Sequence, residues 1–194
     1  MARTSSTEPA PLGPEDRRSL LGVARASIEH GLEHGRALAV RAAEYSPPLQ
    51  QERASFVTLR REGALRGCIG TCQAVRPLVE DVAHNAHAAA FLDPRFDPLT
   101  STELEGLHLH LSLLTPPEPI SFVSEDDLLA QVRPGIDGLL LQDGFRRGTL
   151  LPSVWEALPE VREFVRHLKL KAGLPSDYWS PSLRILRYTA ESVE

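Results

Sequence analysis

The stretch Ala54-Ser-Phe-Val-Thr-Leu-Arg-Arg-Glu-Gly-Ala-Leu-Arg-Gly-Cys-Ile-Gly70 decides the fold class. Ala54 to Arg61 reads as a strand with Phe56 and Val57 at its middle, Glu62-Gly63 turns it, and Leu65 to Ile69 returns. Two strands joined by so short a turn must pair antiparallel. In the returning strand Arg66 and Cys68 share one face and Leu65, Gly67 and Ile69 the other, because side chains alternate along extended backbone.

The pattern continues outward. Leu107-His-Leu-His-Leu-Ser-Leu-Leu114 alternates as a half-buried strand does. Gly138 to Gln142 and Phe145 to Leu151 flank Asp143-Gly144, a pair that predicts a second hairpin with a type I′ turn. Leu183 to Thr189 is a final strand. Helices are expected at Glu15 to about His34, with Leu21, Ala24, Ile28 and Leu32 on one stripe, and at Val75 to Phe91, with Val75, Leu78, Val79, Val82, Ala86 and Ala89 inward. Thr100 and Glu103 form a capping box, and Ser124 with Asp127 caps a helix through Val132. Val161, Phe164, Val165, Leu168 and Ala172 stripe a last helix, closed by Gly173. Hairpins and helices in irregular order predict an α+β fold, a largely antiparallel sheet with flanking helices, rather than a doubly wound one. Residues 1–14 read as a flexible tail and 15–194 as one domain.

Composition narrows the function classes. A chain of 194 residues, 42% hydrophobic and 24% charged, has the make-up of a globular protein. A net charge of −5 argues against gripping nucleic acid through phosphates, so an RNA role would need a local patch such as Arg162, Arg166 and Lys169. No segment reads as a signal peptide or bilayer span, and two cysteines, Cys68 and Cys72, build no disulfide framework, which together predict a cytoplasmic protein. Phosphate-loop, dinucleotide, nucleophile-elbow and radical-SAM cluster motifs are absent. No cofactor is assigned.

No metal is assigned either. His30-Gly-Leu-Glu-His34 matches a metalloprotease pattern, but both histidines fall opposite the apolar stripe of their helix. Cys68, Cys72, His84 and His87 suggest zinc, yet the His spacing is short and the histidines lie away from the apolar face. His108, His110 and Ser112 share a strand face that reads as solvated.

The segment around Cys68 carries more. Arg66 stands on the thiol's own face, and a nearby guanidinium favours the reactive thiolate. Gly67 and Gly70 flank it without side chains, which lets a ligand or another backbone approach. A small buried packing cysteine remains the other reading.

Leu65-Arg-Gly-Cys-Ile-Gly-Thr71 resembles the signature heptapeptide of AMMECR-type domains. Ala88 to Phe96, Leu113 to Pro116, Gly135 to Gly138, Arg147 to Pro152 and Arg187-Tyr188 stand in that family's order. The bacterial and archaeal branch is the A component of the AmmeMemoRadiSam system. The resemblance implies two closely packed lobes with a cleft, and functional association with a Memo-type protein and a radical-SAM enzyme. His110 stands where the family often has an acidic residue. The expectation is a small-molecule enzyme with Cys68 as nucleophile or redox thiol, Arg66 and Arg147 orienting an anionic substrate, and Gly67 and Gly70 beside it. The alternative is a non-catalytic binding or scaffold module.

Overall fold

A computed structural model describes residues 11–194. The expected tail lies outside the described residues as far as Ala10; Gly13 is already the N-cap of the first helix and Pro14 its first residue. The chain divides into two compact units, one running up to Thr115 and including Glu191–Glu194, the other Pro116–Ala190. The antiparallel strands are shared between two four-stranded sheets, and the α+β class holds.

The first unit contains α1 (Pro14–His34), α2 (Pro47–Gln50), β1 (Ser55–Arg61), β2 (Ala64–Gly70), α3 (Leu78–Phe91) and β3 (Leu107–Leu114), and β8 (Ala190–Val193) joins its sheet in the order β2-β1-β3-β8. Val57, Leu59, Leu111 and Leu113 turn inward and are fully buried, packed in one core with α1 and α3. The inward face of α1 is Leu20, Val23, Ala24, Ser27, Ile28 and Gly31, so the stripe is rotated from the expected one and Leu21 and Leu32 sit half-buried at its edges. Small residues explain the shift. Ser27 Oγ donates to the Ala83 carbonyl at 2.7 Å, and a Cβ at Gly31 would lie 2.4 Å from the Phe91 ring. α3 starts at Leu78 rather than Val75, because Pro77 is its N-cap, and Val75 is exposed.

The second unit contains β4 (Glu118–Pro119), α4 (Glu125–Gln131), β5 (Gly138–Asp143), β6 (Arg146–Leu150), α5 (Val161–Lys171) and β7 (Arg184–Tyr188), with strand order β4-β7-β5-β6. Its core joins Leu139, Leu141 and Ile185 to Phe164, Val165 and Leu168 of α5. Trp155 stacks on Phe164 with ring centroids 3.8 Å apart. Asp143 pairs with Arg146, so the turn is Gly144-Phe145, not Asp143-Gly144. Only the first of that pair has positive φ, the pattern of a type II′ turn. Lys169 is buried rather than on a solvated basic face: Nζ meets Glu125 at 2.8 Å and lies 5.8 Å from the Trp179 ring centroid. Arg162 and Arg166 are paired with Asp126 and Glu163. No helix among the described residues is long and apolar enough to cross a membrane.

Candidate functional site

β2 is an edge strand, and its register with β1 places Cys68 opposite Thr58, which in turn lies opposite His110 of β3. Val57, Leu59 and Gly67 face the core, so Arg66, Cys68, Thr58, His110 and Ser112 occupy the outer face. Arg66 falls in a bulge of β2 between Leu65, opposite Arg60, and Gly67, opposite Leu59, so Leu65 is exposed and does not share the inward face of Gly67 as strict alternation predicts. Cys68 is half-buried and outside any disulfide, and Thr58 Oγ1 donates to its Sγ at 3.3 Å. Further along the row, His110 Nδ1 lies 2.7 Å from Glu194 Oε1 and its Nε2 3.3 Å from Ser112 Oγ.

Backbone groups at an open sheet edge need partners. At Cys68 they come from the loop after α3. Asp93 Oδ2 accepts the Cys68 N–H at 2.8 Å, and Arg95 Nη2 donates to the Cys68 carbonyl at 3.1 Å. Asp93 and Arg95 are themselves joined by bonds of 2.6 and 2.9 Å. The pair stands in for a neighbouring strand and fixes the backbone under the thiol. Asp93 is buried, and the Arg95 hydrogen bonds, with the Cys68 N–H, hold its carboxyl far below the usual carboxylate range. From sequence, Asp93 and Arg95 stand only within the family-like run Ala88 to Phe96; the missed signal is an acid and a base two residues apart in the loop facing an edge strand.

Arg66 is also committed. Its Nε and Nη2 reach Glu103 at 2.6 and 3.1 Å, and Nη2 also reaches the Asp97 carbonyl at 3.0 Å. Nη1 is the one nitrogen of this guanidinium left buried without a partner. The Arg66 bond, helped by Thr100, pulls the Glu103 carboxyl down to about 2. Packing alone accounts for the flanking glycines. A Cβ at Gly67 would stand 2.1 Å from the Ala89 carbonyl oxygen of α3, and one at Gly70 would stand 2.3 Å from the Ser55 carbonyl oxygen. Arg147 lies on β6 in the second unit, exposed and across from Gln142.

The histidines do not assemble with the cysteines. His84 is exposed on α3, and His87 packs on Phe91 with centroids 5.0 Å apart. His30 and His34 stack on each other at 4.2 Å, and burial with the neighbouring His34 lowers the His30 pKa. Among the described residues no three His, Cys, Asp or Glu side chains converge as a metal site would require. A cavity of about 570 Å³ lies in the first unit and one of about 630 Å³ in the second, and Cys68 lines neither of these two.

Known proteins share this architecture. The crystal structure of an uncharacterized protein from Pyrococcus horikoshii superposes with a TM-score of 0.81 at 35% identity, covering 89% of this chain and 88% of that one. A protein from Methanothermobacter thermautotrophicus is 39% identical over 94% of this chain and 95% of its own, and one from Thermococcus gammatolerans is 40% identical over 90% and 88%. The family model described as AMMECR1 matches residues 21–193, a span that takes in the Cys68 hairpin, its Asp93–Arg95 clamp and both sheets. By that match and by these relatives, the chain belongs to the AMMECR1 family.

Proposed function

We propose that residues 15–194 work as one cytoplasmic domain whose reactive group is the Cys68 thiol, acting as a nucleophile toward a small electrophilic, anionic substrate. The carrying observation is the way the sulfur is held: half-open on the outer sheet face, fixed from below by Asp93 and Arg95, and hydrogen-bonded by Thr58 Oγ1 at 3.3 Å. Any residue at this edge would need the backbone partners, so the support specific to the thiol is the Thr58 hydroxyl on its sulfur. Preorganised nucleophiles are held by neighbours in this manner. The positive charge nearest the thiol's backbone is Arg95, so Arg95 joins Arg66 as a group that orients an anion.

The test is alkylation with iodoacetamide, in which Cys68 Sγ loses its proton to solvent, forms the S–C bond and expels iodide. Peptide-resolved mass spectrometry is expected to find Cys68 alkylated at least about tenfold faster than Cys72, and slowed in Thr58→Val. A Cys68 that resists the reagent in folded protein while Cys72 reacts would overturn the proposal.

A second reading is a non-catalytic binding or scaffold module that serves a Memo-type protein and a radical-SAM enzyme. Two observations favour it. Gly67 and Gly70 are accounted for by contact with α3 and β1, and both arginines nearest Cys68 already hold carboxylates. Under this reading Cys68→Ala retains cellular function.

A further inference from the structure

The thirteen glycines sort by cause, and one has none. Six have positive φ, where side chains are strained. At Gly31, Gly67, Gly70, Gly138 and Gly148 a Cβ would stand closer than 3.0 Å to a neighbour. Gly13 is an N-cap, where glycine is favoured. Gly22 remains. It sits inside α1, where glycine costs about 1 kcal/mol relative to alanine, and a Cβ there would meet nothing within 4 Å.

Gly22 lines a cavity in the first unit of about 570 Å³, within the usual size of small-ligand sites. The cavity lies beside the start of β3, with Leu107, His108, Leu109 and His110 in its lining. Leu21, Leu107 and Leu109 give it an apolar side. Arg25 enters from α1 and Arg60 from β1. Neither guanidinium is closely neutralised. Arg25 reaches the Leu107 carbonyl at 3.4 Å and Glu29 only at 3.8 Å; Arg60 donates to the Gly63 carbonyl at 3.1 Å and has no carboxylate partner among the described residues. His108 is exposed on the same rim. The lining carboxylate, Glu194, is taken up by His110 at 2.7 Å.

We infer that this cavity is a binding site for a small organic anion with an apolar body, its carboxylate or phosphate held between Arg25 and Arg60 and its body against Leu21, Leu107 and Leu109, with Gly22 leaving the helix backbone open to it. An amphipathic ligand is favoured over a bare ion because the two arginines flank an apolar wall, and each charged hydrogen bond there is stronger than a neutral one. The site is separate from the Cys68 thiol, and its test does not depend on thiol chemistry.

Isothermal titration calorimetry of the whole chain with octanoate, phenyl phosphate, octanol and inorganic phosphate tests it. Saturable binding of octanoate or phenyl phosphate with a Kd below about 1 mM is expected, octanol and inorganic phosphate binding at least about tenfold more weakly. Octanoate and phenyl phosphate separate a carboxylate from a phosphate preference. Arg25→Gln and Arg60→Gln should each weaken binding by about tenfold or more. Gly22→Leu should abolish it by filling the cavity, while leaving the melting temperature unchanged or higher, because leucine is the better helix former. Failure of both anions to bind the wild type, or undiminished binding by a folded Gly22→Leu, would overturn the inference.

Discussion

The two hairpins, β1–β2 and β5–β6, solve one packing problem and finish differently. Each places an arginine-glycine pair in its second strand, Arg66-Gly67 in β2 and Arg147-Gly148 in β6. Each glycine lets a helix rest directly on strand backbone: Gly67 under Ala89 of α3, and Gly148 under Leu168 and Ala172 at the end of α5. The following residue then points away from the helix. In β6 it is Thr149, whose hydroxyl is tied to the Leu139 carbonyl at 2.9 Å and to Tyr188 Oη at 2.7 Å. In β2 it is Cys68, half-open, with one hydroxyl on its sulfur. The arginines differ too, Arg66 being locked on Glu103 and Arg147 exposed. In β6 the side chain after the glycine has its hydroxyl bonded within the sheet; in β2 it is a sulfur left half-open on a backbone tied to the loop after α3.

The strongest way to break that comparison is to add a methyl group to each glycine. Overpacking costs about 1–3 kcal/mol and occasionally more. The Cβ at Gly67 would stand 2.1 Å from a carbonyl oxygen, and the nearest atom at Gly148 is 2.7 Å away. Gly67→Ala is therefore expected at or above about 3 kcal/mol and Gly148→Ala nearer 2, read from urea melts. Equal costs, or a milder effect at Gly67, would mean that the two helix contacts are not the same device.

The arginines sharpen it next, through pH. Glu103 is held down to about 2 by Arg66, against an ordinary value of 4.5. A carboxylate depressed on folding contributes stability that is full above its unfolded pKa and is lost as pH falls through the folded one. Thermal melts of the wild type between pH 5 and 2 should therefore fall in part because of Glu103, and Glu103→Gln should start lower at pH 5 and lose less on the way down. Arg147→Gln in the other hairpin removes an exposed guanidinium with no carboxylate partner among the described residues, and should shift stability by no more than about 0.5 kcal/mol at any of these pH values. A pH slope unchanged by Glu103→Gln would show that the Arg66 pair adds nothing to folding.

How much of this was legible follows from range. Period-two alternation and turn residues are local, so both hairpins and β3 could be read directly. The α1 stripe was misplaced because its contact with α3 is made by Ser27 and Gly31, whereas hydrophobicity gave weight to Leu21 and Leu32. β8 is four residues, Ala-Glu-Ser-Val, and is a strand only because β3 offers it an edge. Lys169 looked like surface charge, and only the fold supplies Glu125 and Trp179 to bury it. The Cys68 site divides in the same way. The strand, its glycines and the thiol are contiguous, but Asp93 and Thr58, 25 and 10 residues away, reach it only through tertiary structure and strand register.

The turns offer the smallest effect and the cleanest contrast, because one residue should act with opposite sign at the two hairpins. In the first, Glu62 and Gly63 both have positive φ, 52° and 79°, as a type I′ turn requires, and Glu62 is the only non-glycine among the described residues with that conformation. Asparagine adopts it more readily than glutamate, so Glu62→Asn should stabilise by about 0.5 kcal/mol. In the second, Gly144 has φ 57° and Phe145 does not follow it into positive φ. The first central position of a type II′ turn is glycine's own, so Gly144→Asn should destabilise by about 1 kcal/mol. Denaturant midpoints of the two variants measure both. Were asparagine to stabilise the second hairpin as well, the type II′ assignment of the Gly144-Phe145 turn would fall.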